Sequence, residues 1–186
     1  MYLKRPIKLL MITAALAAVL ALVFVVYKHV LRQLYPTGYS ELVSQSAEEF
    51  SLDPMLVYAV INCESGFDKD AVSGSQAMGL MQITEDTFNW AKSKLPENGL
   101  TSAALFDPAT NIRYGCFILS LHLEEFGSLE LALAAYHAGR GSVNKWLRDE
   151  KPTDGKTLRK IPYKDTSHYV KKVSDALSVY KRLYKK

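Results

Sequence analysis

From Leu9 to Tyr27 the chain carries no charged side chain, whereas beyond Pro36 its apolar residues recur at helical spacing, three or four positions apart. The first run covers nineteen residues, long enough as a helix to cross a hydrocarbon layer of about 30 Å. It exceeds the roughly 7–15 apolar residues of a cleavable signal peptide. Its small residues Ala14, Ala15, Ala17 and Ala18 also lie in its first half rather than after it. The expectation is an uncleaved anchor: residues 1–35 form a cytoplasmic stub and a single N-terminal transmembrane helix, and residues 36–186 form one further domain. The turn formers Pro36-Thr37-Gly38 make the tether between them short.

Within the second region the pattern predicts a mostly α domain. Ser40 is placed to cap a helix running to about Phe50. Asp53-Pro54 supplies an N-cap and a first-turn proline for a helix over Met55–Glu64 that is apolar on nearly every side. From Ser65 to Ile83 the periodicity disappears and Gly66, Gly74 and Gly79 mark a long irregular stretch, the form that functional loops take. Thr84 then caps a helix through Phe88, Trp90 and Ala91, and Pro96–Thr101 reads as a loop. Asp107-Pro108 opens a long helix with Ile112, Cys116, Leu119 and Leu123 on one face and Gly127 as its stop. Ser128 opens another that breaks at Ala138-Gly139-Arg140-Gly141. A short helix around Val143–Leu147, a polar loop to Gly155 and a final amphipathic helix over Thr166–Leu183 complete the chain. No alternating strands stand out, apart from room for a small β-ribbon near Gly99 or Thr157.

Charge changes this picture little once it is located. The formal net charge is +4, but five of the 23 Lys/Arg (Lys4, Arg5, Lys8, Lys28, Arg32) precede residue 36, where there is no Asp or Glu. The remaining 18 face 19 acidic residues. A groove that tracks phosphates needs a clustered basic excess, and the one cluster, Lys164–Lys186, reads as a solvated helix face. No nucleic-acid partner is expected. The four histidines (His29, His122, His137, His168) are scattered, and no metal-binding spacing occurs, so neither a metal nor a cofactor is expected. Cys63 and Cys116 lie in a region that would be outside the membrane, where oxidation is possible. Both sit within apolar helical patterns, which favours two buried thiols over a disulfide.

Glu64 is the first residue that invites chemistry. It ends a hydrophobic helix where the irregular stretch begins, so partial removal from water and the negative end of the helix dipole both favour its protonated form. A carboxylic acid that keeps its proton near neutral pH can protonate the leaving oxygen of a glycosidic bond. A helix-terminal Glu is by itself unremarkable. Here it heads an ordered series: Glu64-Ser65, Ser73, Gly79-Leu80-Met81-Gln82, Ala134-Ala135-Tyr136-His137-Ala138-Gly139, and Ile161-Pro162-Tyr163-Lys164-Asp165-Thr166 with Tyr169-Val170.

This series resembles the soluble lytic transglycosylase family (glycoside hydrolase family 23), whose catalytic domain has a goose-type lysozyme-like, mostly helical fold. The resemblance spans about residues 40–182. It implies that Glu64 is the catalytic acid/base and that Ser73 positions the sugar's N-acetyl group or the acid. Met81, Gln82 and Tyr169 fall at substrate-binding positions, and Tyr136 matches the tyrosine that faces the glutamate. Two positions depart from the family pattern: His137 stands where Asn is usual, and Asp165 where Glu is usual. His137 can donate a hydrogen bond as Asn does, but it also titrates near neutral pH.

Most glycosidases use two carboxylates, and no second one stands out near the expected cleft, since Asp68 and Asp70 read as solvated. The resemblance implies a way round this. Glu64 protonates the oxygen linking N-acetylmuramic acid to N-acetylglucosamine and then takes a proton from the muramic acid's C6 hydroxyl, leaving a 1,6-anhydro end. The implied partners are the glycan strands of peptidoglycan, with the domain outside the cytoplasmic membrane, and a monomer is expected. The rival readings are a hydrolytic muramidase, a wall-binding module without catalysis, and a thiol hydrolase built on Cys63 and His137.

Overall fold

In the computed structural model, which describes residues 4–95, 99–149, 158 and 160–184, the chain divides into two units, Met1–Pro36 and Thr37–Lys186. The first is a single helix, α1 (Lys4–Leu34). Over Ile7–Leu34 it is long and apolar enough to cross a membrane, and its side chains there are exposed.

The second unit is helical, and its helices begin where the caps place them. Asp53 accepts from the Met55 N–H at 3.0 Å to start α3 (Pro54–Glu64). Thr84 accepts from Thr87 at 3.3 Å to start α4 (Glu85–Lys92), and Asp107 from Thr110 at 2.9 Å to start α5 (Pro108–Phe126). Ser128 does the same for α6 (Leu129–Ala138) after Gly127 has ended α5 with φ 62°. Three predicted elements differ. α2 (Ser40–Glu49) has Ser40 as its first helical residue, with Tyr39 at the cap position in the left-handed region. Gly139 (φ 86°) turns the chain so sharply that α7 (Arg140–Asp149) follows α6 at once and is longer than Val143–Leu147. The last helix, α8 (Lys164–Tyr184), starts two residues before Thr166. A 3₁₀ helix spans Ser102–Phe106. Near Gly99 the described residues contain no strand, and Thr157 and the loop to Gly155 lie outside the described residues.

At the centre lies α3, packed against α8, while α5 packs against α6 and α2, and α6 against α8 and α7. Leu56 to Ile61 of α3 are all buried. Burying Val57, Val60 and Ile61 stabilises the fold by roughly 1.5–3 kcal/mol each. That outweighs the helix preference, under about 0.7 kcal/mol per residue, that β-branched side chains give up. α8 presents Val170, Val173, Ala176, Leu177 and Tyr180 inward and its lysines to solvent, so the basic tail is the outer face of a packed helix.

The stretch between α3 and α4 is a tight loop held by two isolated antiparallel bridges, Val72–Met78 and Met78–Ile83. Its floor rests on α5. Gly115 lies under Met81 so closely that a Cβ there would come within 2.3 Å of the Met81 sulfur.

Candidate active site

Glu64 is the last residue of α3, half-buried in the wall of a cleft of about 830 Å³. Three side chains fix this helix end. The Ser65 hydroxyl donates to the Leu80 carbonyl at 2.8 Å and accepts from the Phe67 N–H at 3.1 Å, tying the helix to the loop beyond it. Lys172 of α8 donates to the Cys63 carbonyl at 2.9 Å, one of the orphan acceptors that every helix C-terminus leaves. Tyr169, also on α8, donates its hydroxyl proton to Glu64 Oε1 at 2.6 Å.

Burial pushes the Glu64 pKa up to about 7, although Tyr169 and Lys172 both act to lower it. The group is therefore poised between acid and carboxylate near neutral pH. With Oε1 occupied by the tyrosine, the acidic proton belongs on the other oxygen. Tyr169→Phe removes the stronger of the two opposing influences, so the Glu64 titration, followed by carboxyl-carbon NMR, is expected to move to higher pH. A titration that stays in place would mean that the hydrogen bond contributes nothing.

Tyr136, near the C-terminal end of α6, also lines the cleft. Its hydroxyl donates to the Met81 carbonyl at 2.9 Å, and burial, with the nearby Glu64 adding to it, raises its pKa well above the ordinary phenol value. It is thus a neutral phenol whose proton is committed, leaving lone pairs as its free polar feature. His137 stacks on Tyr169, with centroids 4.6 Å apart, and its Nδ1 lies 3.2 Å from the Thr166 hydroxyl. The substituted histidine therefore braces the tyrosine that holds Glu64. Partial burial lowers its pKa while Asp165 acts to raise it.

The irregular loop supplies the facing wall. Gln82 (φ 50°) lines the cleft while its amide donates to the carbonyls of Gly79 at 2.9 Å and Ala71 at 3.1 Å. Ser73 also lines it, its hydroxyl accepting from the Ala77 N–H and lying 3.0 Å from that of Ser75. Met81 requires a correction: its side chain is fully buried against Gly115 and cannot touch a sugar, because the turn points it into the core. What it gives the site is its carbonyl, under Tyr136. Asp165 is exposed in the first turn of α8, and the Tyr136 hydroxyl is held by the Met81 carbonyl instead.

Two contributors escape a reading of the sequence. Asn111 of α5, 1% exposed, accepts from the Met81 N–H at 2.7 Å and donates to the carbonyls of Met78 at 2.9 Å and Leu105 at 2.7 Å. It is the internal strut of the loop, and nothing in the α5 pattern distinguishes it from a solvated residue. Asp86, in the first turn of α4, places a second carboxylate in the cleft lining.

Cys63 and Cys116 are both free thiols. Burial raises the Cys63 pKa to about 11 and that of Cys116 higher still, so neither forms the thiolate that a thiol hydrolase needs.

Comparison with known proteins places these features in company. A family model described as the transglycosylase SLT domain matches residues 41–158. The chain is 34% identical over 167 residues to membrane-bound lytic murein transglycosylase C of Yersinia enterocolitica, covering 77% of this chain and 47% of that protein. It is 36% identical over 121 residues to a transglycosylase of Enterobacteria phage PRD1, covering 65% and 42%. Among solved structures, an inactive mutant of the lytic transglycosylase Slt from Pseudomonas aeruginosa superposes with a TM-score of 0.71 at 31% identity, over 80% of this chain and 24% of that one. The 70 kDa soluble lytic transglycosylase from Escherichia coli gives 0.74 at 27% identity, over 83% and 26%. The chain spans less than half the length of these curated relatives.

Proposed function

Because the chain belongs to the transglycosylase SLT domain family, we propose that it is a peptidoglycan lytic transglycosylase anchored in the membrane through α1, with Glu64 as its general acid/base. The observation that carries this reading is a half-buried carboxyl group with its pKa at about 7, lining a sugar-sized cleft and held by a tyrosine. A catalytic acid performs best when its pKa lies near the working pH. The unit beginning at Thr37 then lies outside the cytoplasmic membrane, where the wall is, and works as a monomer.

The chemistry needs no water. The neutral Glu64 gives its proton to the oxygen that leaves N-acetylmuramic acid as the bond from C1 to the N-acetylglucosamine O4 breaks. The resulting carboxylate then removes the proton from the muramic acid's C6 hydroxyl, and O6 closes onto C1. One glycosidic bond between sugars is lost and one intramolecular glycosidic bond, C1–O6, is formed, Glu64 ends protonated as it began, and the product is a 1,6-anhydro end. Tyr136, whose proton is held by Met81, turns only its lone pairs to the positive charge that develops at the anomeric centre, a stabilising arrangement set before the reaction begins. Gln82 and Ser73 line the cleft as groups for the sugar's polar substituents.

Asp86 favours one rival reading. A second carboxylate in the cleft is what a hydrolytic muramidase uses to activate water. Mass analysis of purified cell walls digested by the full-length protein separates the two. Anhydro ends, 18 Da lighter than the hydrolytic product by the mass of one water, are the expected result. Reducing ends would assign the reaction to water, and absence of any cleavage would leave a wall-binding module.

A further inference from the structure

His122 is one α5 side chain that the chemistry above leaves unused. It is 4% exposed and forms part of the same cleft wall as Glu64, its ring parallel to Trp90 (centroids 6.2 Å apart, 16°) and edge-on to Tyr136 (6.5 Å, 84°). Among the described residues, its Nδ1 is the buried side-chain polar atom left without a hydrogen-bond partner. Among the described residues Nε2 has no hydrogen-bond partner either, but unlike Nδ1 it is not sealed from solvent, so the residue's small accessible edge in the cleft includes it.

Buried polar groups without partners are rare and call for a reason. Burial pushes the His122 pKa down to about 4, with Glu125 opposing and Arg140 reinforcing the fall, so the ring is neutral and carries one proton. A buried N–H without an acceptor is rarer than an under-used lone pair. That places the proton on Nε2, the nitrogen that reaches the cleft, and leaves the buried Nδ1 as a bare lone pair. The cleft wall therefore offers a neutral donor beside the half-buried indole of Trp90.

An anion is a poor match for this donor. Glu125 stands close enough to influence His122, and its own partner Arg140 is engaged in an ion pair with it, while Asp86 adds a further carboxylate to the lining. A neutral amide carbonyl fits, and the N-acetyl group of an amino sugar supplies one with a sugar ring to lie alongside an indole.

Resting on the proposed function, we infer that His122 donates Nε2–H to the N-acetyl carbonyl of a sugar beside Trp90, and so selects N-acetylated glycan. The test uses full-length Glu64→Gln protein in detergent micelles, which binds without turnover, with ¹⁵N-labelled histidine. Two-bond proton–nitrogen spectra are expected to show the Nε2–H tautomer, and tetra-N-acetylchitotetraose is expected to move the His122 Nε2–H proton downfield. Cellotetraose, which has a hydroxyl in place of each acetamido group, is expected to leave it unmoved. His122→Phe should weaken chitotetraose binding roughly five- to tenfold, the worth of one hydrogen bond, and erase the preference over cellotetraose.

A Nδ1–H tautomer, a His122 signal indifferent to chitotetraose, or a preference that survives in His122→Phe would overturn the inference. A response only to muropeptides would do so too, since it would assign the donor to a peptide amide. The first two readings come from the ring itself and do not depend on how well the variant folds. Failure of the family reading looks different: the protein with Glu64 intact then releases nothing from cell walls, whatever His122 does.

Discussion

Glu64→Gln is expected to lower glycan cleavage by about 10³-fold or more while making the folded protein more stable above neutral pH. The loss of activity follows from the two roles given to one side chain. General acid or base catalysis contributes roughly 10²–10⁴-fold, and the amide can neither give a proton to the leaving oxygen nor take one from the C6 hydroxyl. The gain in stability follows from linkage. The folded pKa is about 7, above the ordinary value of 4.5, because burial disfavours the carboxylate. Between those two values the folded state binds more protons than the unfolded one, so stability falls as pH rises through this window. A shift of this size corresponds to about 3 kcal/mol, fully expressed above pH 7. The amide never ionises, so urea unfolding of Glu64→Gln should show little of that decline, and the variant should be the more stable of the two by about pH 7. A parallel decline in both proteins would place the titrating group elsewhere. The activity of the parent should fall on the alkaline side of about pH 7 as the acid form is lost.

The second large effect belongs to a residue with no chemistry of its own. Asn111→Ala deletes three hydrogen bonds at once and leaves the Met81 N–H and the carbonyls of Met78 and Leu105 without their side-chain partner. Each buried group left unsatisfied costs about 1–3 kcal/mol, and some relaxation of the loop offsets part of the sum, so a loss of about 3–5 kcal/mol in urea unfolding is expected. The same change should impair catalysis in the fraction that stays folded, because Met81 supplies the carbonyl that holds Tyr136. Asn111→Asp tests the account. While protonated it keeps the acceptor for Met81 and one of the two donors, so it should fall between the parent and the alanine variant below the pH at which the new carboxyl ionises, and drop sharply above it, where no donor remains. Equal stability of all three proteins would show that the loop is held by other contacts.

The central helix shows how sequence and structure divide the work. Its cap, its first-turn proline and its unbroken apolar character put Glu64 at the end of a buried element, and that suffices to predict a carboxyl group that holds its proton. What the pattern leaves unspecified is the set of side chains brought to the carboxyl from residues more than a hundred positions away. The family resemblance puts Tyr169 at a substrate-binding position, and Lys172 reads as part of a solvated helix face; only the packing of α8 on α3 makes them partners of Glu64 and its helix end. Met81 illustrates the reverse. Its place in the Gly-Leu-Met-Gln motif assigns it to the substrate, and the turn sends its side chain into the core against Gly115.

Local rules are written in local sequence: caps, prolines, glycine stops and the apolar period determined the helices, the membrane-length run and the position of the acid, because each depends on residues within a turn or two of one another. The tertiary structure alone decided which oxygen of Glu64 is bound, how Tyr136 spends its proton, that Asn111 supports the loop and that His122 is left with an unmatched nitrogen. Those are relations between elements distant in the chain, set by how helices pack, and burial and hydrogen bonding acquire their values only once that packing exists.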